Sequence, residues 1–153
     1  METVITNTVA SVLDEREISY ENLGNGFRFT IDNGVADFEV SIRVDEDIEI
    51  MAIIAIFPIK ISDDKLDKMY KFINDLNYNV PAGYFVIDSE DGELSLRLSN
   101  NVKGGAINKD LVDINLSLLG YCINETFEDI MKALYGGEHY TFSFDDGEDD
   151  YCE

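Results

Sequence analysis

Side chains able to make and break bonds are scarce in this chain. It holds one histidine, His139, and two cysteines, Cys122 and Cys152. Nucleophilic catalysis needs a base within reach of a hydroxyl or thiol. His139 stands among alternating polar and aromatic residues beside an acidic stretch, which suits a surface or interface residue better than a base. Cys122 falls in a helical pattern and Cys152 beside the last residue. They form neither a disulfide framework nor a zinc knuckle, and read as a packing thiol and an incidental one.

Carboxylates are abundant, so metal binding needs a check. Zinc wants clustered Cys and His. A calcium loop of the EF-hand kind wants oxygen ligands at positions 1, 3 and 5, Gly at 6 and Glu at 12. Asp88-Ser89-Glu90-Asp91-Gly92 places its glycine one position early, and Asp145-Asp146-Gly147 lacks the spacing. Gly24-Asn25-Gly26 leads into a strand rather than a helix and lacks the lysine of a phosphate loop. Gly104-Gly105, after Lys103, does precede a helix, but reads as a loop. Paired carboxylates for acid–base work need a pocket that separates their pKa values; here the pairs sit at turns and on polar strand faces. The expectation is no enzyme, no cofactor and no dedicated metal site.

What remains is surface. The 153 residues carry 32 Asp and Glu against 11 Lys and Arg, a net charge of −21. That charge argues against nucleic acid and anionic membrane as partners and favours basic ones at long range. The 45% hydrophobic content argues against a wholly disordered acidic chain. The N-terminal residues show no basic and apolar signal pattern. The longest apolar run, Ile50 to Phe57, is far short of the ~20 residues of a membrane helix. A cytoplasmic protein is expected.

The elements follow from periodicity. Val4, Ile5, Val9, Val12 and Leu13 mark a short helix. Phe27, Phe29 and Ile31 alternate with polar residues, and Asn33-Gly34 predicts a type I′ hairpin with positive φ at both residues. Phe38, Val40, Ile42 and Val44 alternate next. The segment 48–59 is apolar on both faces: Met51, Ile53, Ala55 and Phe57 on one, Ile48, Ile50, Ala52, Ile54 and Ile56 on the other. Such a strand lies centrally, or one face meets a partner. Ser62-Asp63-Asp64 opens a helix with the inner stripe Leu66, Met69, Tyr70, Ile73, Leu76 and Asn77. A second hairpin joins Tyr84–Asp88 to a strand with Leu94, Leu96 and Leu98 inward. From Asn108 to about Tyr135 a long helix shows Leu111, Ile114, Leu118, Tyr121 or Cys122, Phe127, Ile130, Met131 and Leu134. Gly120 or the Asn124–Thr126 stretch kinks it, or splits it with a new cap at Asn124 or Thr126. His139 to Phe144 suits a short strand, and residues 145–153, with six acids in nine residues, a solvated disordered tail. The order α-βββ-α-ββ-α predicts an α+β fold: an antiparallel sheet with helices packed on one face. One domain is expected over 1–144.

Residues 72–97 read FINDLNYNVPAGYFVIDSEDGELSLR. The features are Phe72-x-x-x-Leu76-Asn77 near a helix end, Gly83-x-Phe85 opening a strand, Asp88-x-x-x-Gly92 at a hairpin and Arg97 on the returning strand. Tyr135-Gly136 closes a long helix. In this order they resemble the YbjN-domain family of bacterial proteins. The resemblance implies the fold of type III secretion chaperones, frequent dimerisation and a role described as sensory-transduction regulation. It implies no catalytic residue. Arg97 is expected to pair with Asp88 or Glu90 across the hairpin.

The function expected is a non-enzymatic regulatory or chaperone-like protein-binding module, a homodimer that buries a partner's apolar or basic segment. The candidate contact residues are Met51, Ile53 and Phe57, with Tyr84 and Leu96 beside them and Asp37, Glu39 and Arg43 on a polar rim. Which sheet face points outward is left open. The alternative is an acidic immunity or inhibitor protein that neutralises a basic toxin or mimics nucleic acid.

Overall fold

The computed structural model describes residues 4–136. Alternation in each strand segment sends every second side chain to one face, and pairing brings those faces into register. Strands β1 (Glu21–Asn22), β2 (Gly26–Asp32), β3 (Asp37–Asp45), β4 (Ile50–Lys60), β5 (Tyr84–Ile87) and β6 (Glu93–Asn101) form one sheet in the order β1-β2-β3-β4-β6-β5. All neighbours are antiparallel. Phe27, Ile42, Ile53 and Leu98 stand in one row across the sheet, and Phe29, Val40, Ala55, Leu96 and Phe85 in the next.

Those rows are the floor of the core. Helices α1 (Val4–Glu15), α2 (Leu66–Asn79) and α3 (Lys109–Tyr135) supply its roof through Val9, Val12 and Leu13, through Met69, Ile73 and Leu76, and through Val112, Leu119, Cys122 and Ile130, all buried. Phe38 meets Phe57 and Phe127 edge-to-face, at ring separations of 5.1 and 5.4 Å. Aromatic pairs favour this geometry because a positive ring edge meets a negative ring face. The fold is α+β and matches the expected order, with β1 as an added two-residue strand at one edge.

Several local expectations need correcting. The Asn33-Gly34 turn is not a two-residue type I′ turn. Asp32 pairs with Asp37, so four residues make the loop, and only Gly34 has positive φ there. The carboxylate of Asp32 accepts from the Gly34 N–H, and the Asn33 side chain accepts from Val35 and Ala36. These side-chain turns compete with the tighter backbone turn. In α2, Phe72 rather than Tyr70 joins the inner stripe; Tyr70 is 41% exposed. Helix α3 runs unbroken for 27 residues, capped by the Asn108 side chain, which accepts from the Leu111 N–H. Thr126 starts no new helix: its hydroxyl donates to the Cys122 carbonyl one turn back. The first half of α3 turns a different side to the core than expected. Val112, Asn115, Leu116 and Leu119 face inward, while Ile114 and Tyr121 are exposed. That half is apolar on two sides, so periodicity alone could not choose between them. The expected strand 139–144 and acidic tail 145–153 lie outside the described residues.

The outer edge of β5 is closed by a side chain. Asn77, in the last turn of α2, accepts from the Phe85 N–H at 2.6 Å and donates to the Phe85 carbonyl at 3.1 Å. One amide group thus stands in for a neighbouring strand. Gly83 and Gly92 bracket this hairpin, both at positive φ (+75°). A Cβ on Gly92 would lie 2.1 Å from the Ile61 carbonyl oxygen, so the close approach of the two chains needs glycine. Replacing Asn77 by Ala leaves both Phe85 groups without that partner. The expected loss is about 1–3 kcal/mol of unfolding free energy, read from urea denaturation. A Phe85 amide proton that exchanges no faster in N77A would contradict this account.

Candidate functional site

Strand β4 has two faces with different fates. Met51, Ile53, Ala55 and Phe57 point into the helices and are 0–1% exposed. Three of the expected contact residues, Met51, Ile53 and Phe57, are therefore core residues, and so is Leu96, which is 0% exposed. The expectation is corrected on this point: a contact surface cannot be built from side chains already packed under α1, α2 and α3. Tyr84 alone of the five is exposed, at 45%.

The opposite face of the sheet carries no helix among the described residues. Along β4 it shows Ile50, Ala52, Ile54, Ile56 and Pro58. Ile54 is nearly covered at 9% exposure, while Ile50, Ala52 and Ile56 are half-buried and Pro58 is exposed. Register places polar side chains on both flanks. Arg43, Ser41 and Glu39 of β3 stand beside Ala52, Ile54 and Ile56, and Ser99, Arg97 and Ser95 of β6 stand on the other side. Tyr84 follows Arg97 in the same row, and Arg28 follows Ser41. The site is an apolar stripe one strand wide with charged borders; Glu39 and Arg43, expected as the rim of a Met51-Ile53-Phe57 surface, border the opposite face of β4 instead. Asp37 lies at the exposed end of β3.

Beyond Tyr84, strand β6 continues to Asn101 with no described strand on its outer side. There a cavity of about 460 Å³ opens between Gly83, Tyr84, Ser99, Leu111, Ile114 and Leu118. Its floor includes a buried amide pair: Asn115 bonds Asn100 and the Leu111 carbonyl. Leu111, Ile114 and Leu118 were expected in the core. Their signal, a second apolar stripe on α3, was in the sequence but was assigned to the wrong side. Arg97 does not reach Asp88 or Glu90. It pairs in register with Tyr84, four residues along β5 from Asp88, and its Nε donates to Ser95 Oγ at 3.3 Å.

No group of three or more metal-ligating side chains is found among the described residues. Burial pushes the Cys122 thiol up to about 11, with the Glu125 carboxylate adding to the shift, and the side chain is 1% exposed. Its thiolate is scarce at neutral pH, so it is a poor nucleophile. His139 lies outside the described residues.

The profile of a protein family described as "YbjN: Putative bacterial sensory transduction regulator" matches residues 6–132. The chain belongs to the YbjN family. Among solved structures it resembles YbjN from E. coli, described as "a putative transcription regulator". That likeness has a TM-score of 0.57 and 13% identity, covering 80% of this chain and 90% of that one. It also resembles the HopA1–SchA chaperone–effector complex, at a TM-score of 0.51 and 14% identity, covering 77% and 89%. At these identities the likeness is one of fold, and it makes this YbjN chain type III chaperone-like in architecture. No curated protein matches the sequence. No helix among the described residues is long and apolar enough to cross a membrane.

The thiol assignment is checked with a thiol reagent at pH 8 on a Cys152→Ser variant. Cys122 in the folded YbjN chain is expected to react at least about 100-fold more slowly than in urea. Equal rates would mean that the thiol is not shielded.

Proposed function

We propose that this YbjN chain is a non-enzymatic, cytoplasmic protein-binding module of regulatory or chaperone-like kind. The observation that carries the reading is a sheet that helices cover on one face only, among the described residues. Helices cover one face, and the other keeps an apolar stripe at Ile50, Ala52 and Ile56 with charged flanks. An apolar centre with a polar rim is the layout of a protein-contact surface. The mechanism is burial: a segment of a partner covers the stripe and removes apolar area from water, at ~25 cal/mol per Å² before the entropy of docking is subtracted. The cavity beside Tyr84 extends the same surface around the sheet edge. The exposed stripe of α3, with Ile114 56% exposed, adds apolar area that a second copy can cover, and on that ground we read the module as a homodimer.

Two glutamates on the stripe test the contact. Ala52→Glu with Ile56→Glu is expected to lose at least about tenfold of the partner captured from native lysate by wild-type protein. Tyr78→Ala, on the far side of α2, is expected to keep it. Capture is compared by quantitative mass spectrometry, with circular dichroism showing that each variant is folded. Equal capture by the double variant would remove the sheet face from the mechanism. Partners that wash off in high salt from wild type and double variant alike would favour the acidic-inhibitor reading instead.

Solution mass tests the assembly separately. A dimer is expected at micromolar concentration, and Ile114→Glu is expected to shift it towards monomer by at least about tenfold in dissociation constant. A wild-type monomer at high micromolar concentration would contradict the homodimer.

A further inference from the structure

The arginines are distributed unevenly. Of the four, Arg16 follows α1 and binds Asp113, and the other three, Arg28, Arg43 and Arg97, stand on the open sheet face. Arg28 is taken by Glu21, with Nη2 and Oε2 2.6 Å apart. Arg43 and Arg97 meet no carboxylate within ion-pair distance among the described residues. Arg97 has only Ser95 Oγ, at 3.3 Å. In a chain with 32 carboxylates and 11 cationic side chains, two arginines flanking an apolar stripe without an acid are unexpected. Two carboxylates stand beside the stripe: Glu39, next to Ile56 on the far side of Ser41 from Arg43, and Asp45, next to Ile50, whose Oδ1 accepts from the Asp47 and Ile48 N–H groups of the turn.

Register fixes how the two arginines relate to the stripe. Arg43 lies beside Ala52 on the β3 side, and Arg97 beside Ile54 on the β6 side. Strand spacing and rise put them on opposite sides of β4, roughly 12 Å apart along the diagonal. A segment lying along β4 would have one guanidinium on each flank. Guanidinium groups select planar carboxylates through paired hydrogen bonds. Resting on the reading of the sheet face above, we propose that its occupant is a partner segment whose apolar side chains are flanked by Asp or Glu. Local chemistry then opposes net charge. The protein as a whole, at −21, repels such a segment at a distance. The Debye length at physiological salt is only ~8 Å, so at contact the two arginines outweigh remote acids.

The probes are two nine-residue peptides, one alternating isoleucine with glutamate and the other isoleucine with lysine, titrated into the full chain by fluorescence anisotropy. The glutamate peptide is expected to bind at least tenfold more tightly. Arg43→Gln with Arg97→Gln is expected to remove that preference while leaving the melting temperature unchanged. Ala52→Glu with Ile56→Glu is expected to abolish binding of both peptides. A lysine peptide that binds as well, or a preference that survives loss of both arginines, overturns the anionic partner and leaves the sheet-face reading standing if the stripe variant still fails to bind. Binding that is indifferent to the stripe variant, or absent for both peptides, overturns the inference and the reading beneath it together. Wild-type dimerisation that is lost in the double arginine variant assigns the face to a second copy and also overturns the proposal.

Discussion

A six-stranded antiparallel sheet whose central strand is apolar on both sides sets the terms for the rest of this structure. Strand β4 lies between β3 and β6, so its backbone is paired on both edges. Its inward residues need a roof, and the three helices supply one. Its outward residues would each be ordinary alone, but two-residue spacing aligns them into a stripe. The alternating neighbours, β3 and β6, then have no choice but to place their polar residues along its borders. One strand's composition thus produces both the core and the apolar stripe on the open face. The irregular end of β4 belongs to the same account. Between Ile56 and Lys60 the register shifts against β6, at the place where Pro58 has no N–H to give. Phe57 and Ile59 still reach the core.

Charge acts on two scales in this chain. The net charge governs what approaches over many ångströms and depends on salt. The placement of individual guanidinium groups sets the local charge beside the stripe. Several exposed pairs, such as Arg16–Asp113, Lys109–Glu15 and Lys132–Glu128, sit on helices or helix ends, and each stabilises the fold only slightly because water screens it. Just before α2, Lys65 donates to the Leu134 carbonyl and lies over the Tyr135 ring, which favours a cation at the last turn of α3.

Much of the architecture could be read directly from the residues. Phe27-x-Phe29, Phe38-x-Val40-x-Ile42 and Leu94-x-Leu96-x-Leu98 announce strands and their inward faces, because a half-buried strand has a period of two. The open face was harder. In 48–59 both alternating sets are apolar, and the choice between Met51-Ile53-Phe57 and Ile50-Ala52-Ile56 depends on where helices far along the chain come to rest. The same ambiguity moved Ile114 to the surface and left Leu111 and Leu118 half-buried at the margin of the core. Asn77 carried a family motif, but no local pattern links it to Phe85, since that contact forms only when α2 turns back over the edge. The loop at Asn33-Gly34 depends on side-chain acceptors that compete with the backbone, which a dipeptide rule does not weigh.

The amide of Asn77 has a bearing on how the molecule behaves in a crowded solution. A bare outer strand invites strands from other molecules to add on indefinitely, which is how soluble sheets begin to form fibres. At Phe85 both main-chain groups are already occupied, and the helix that occupies them sits in the path of an incoming chain. Growth of the sheet in that direction is blocked at its first step. An added strand would have to displace Asn77 and its helix before it could pair at Phe85.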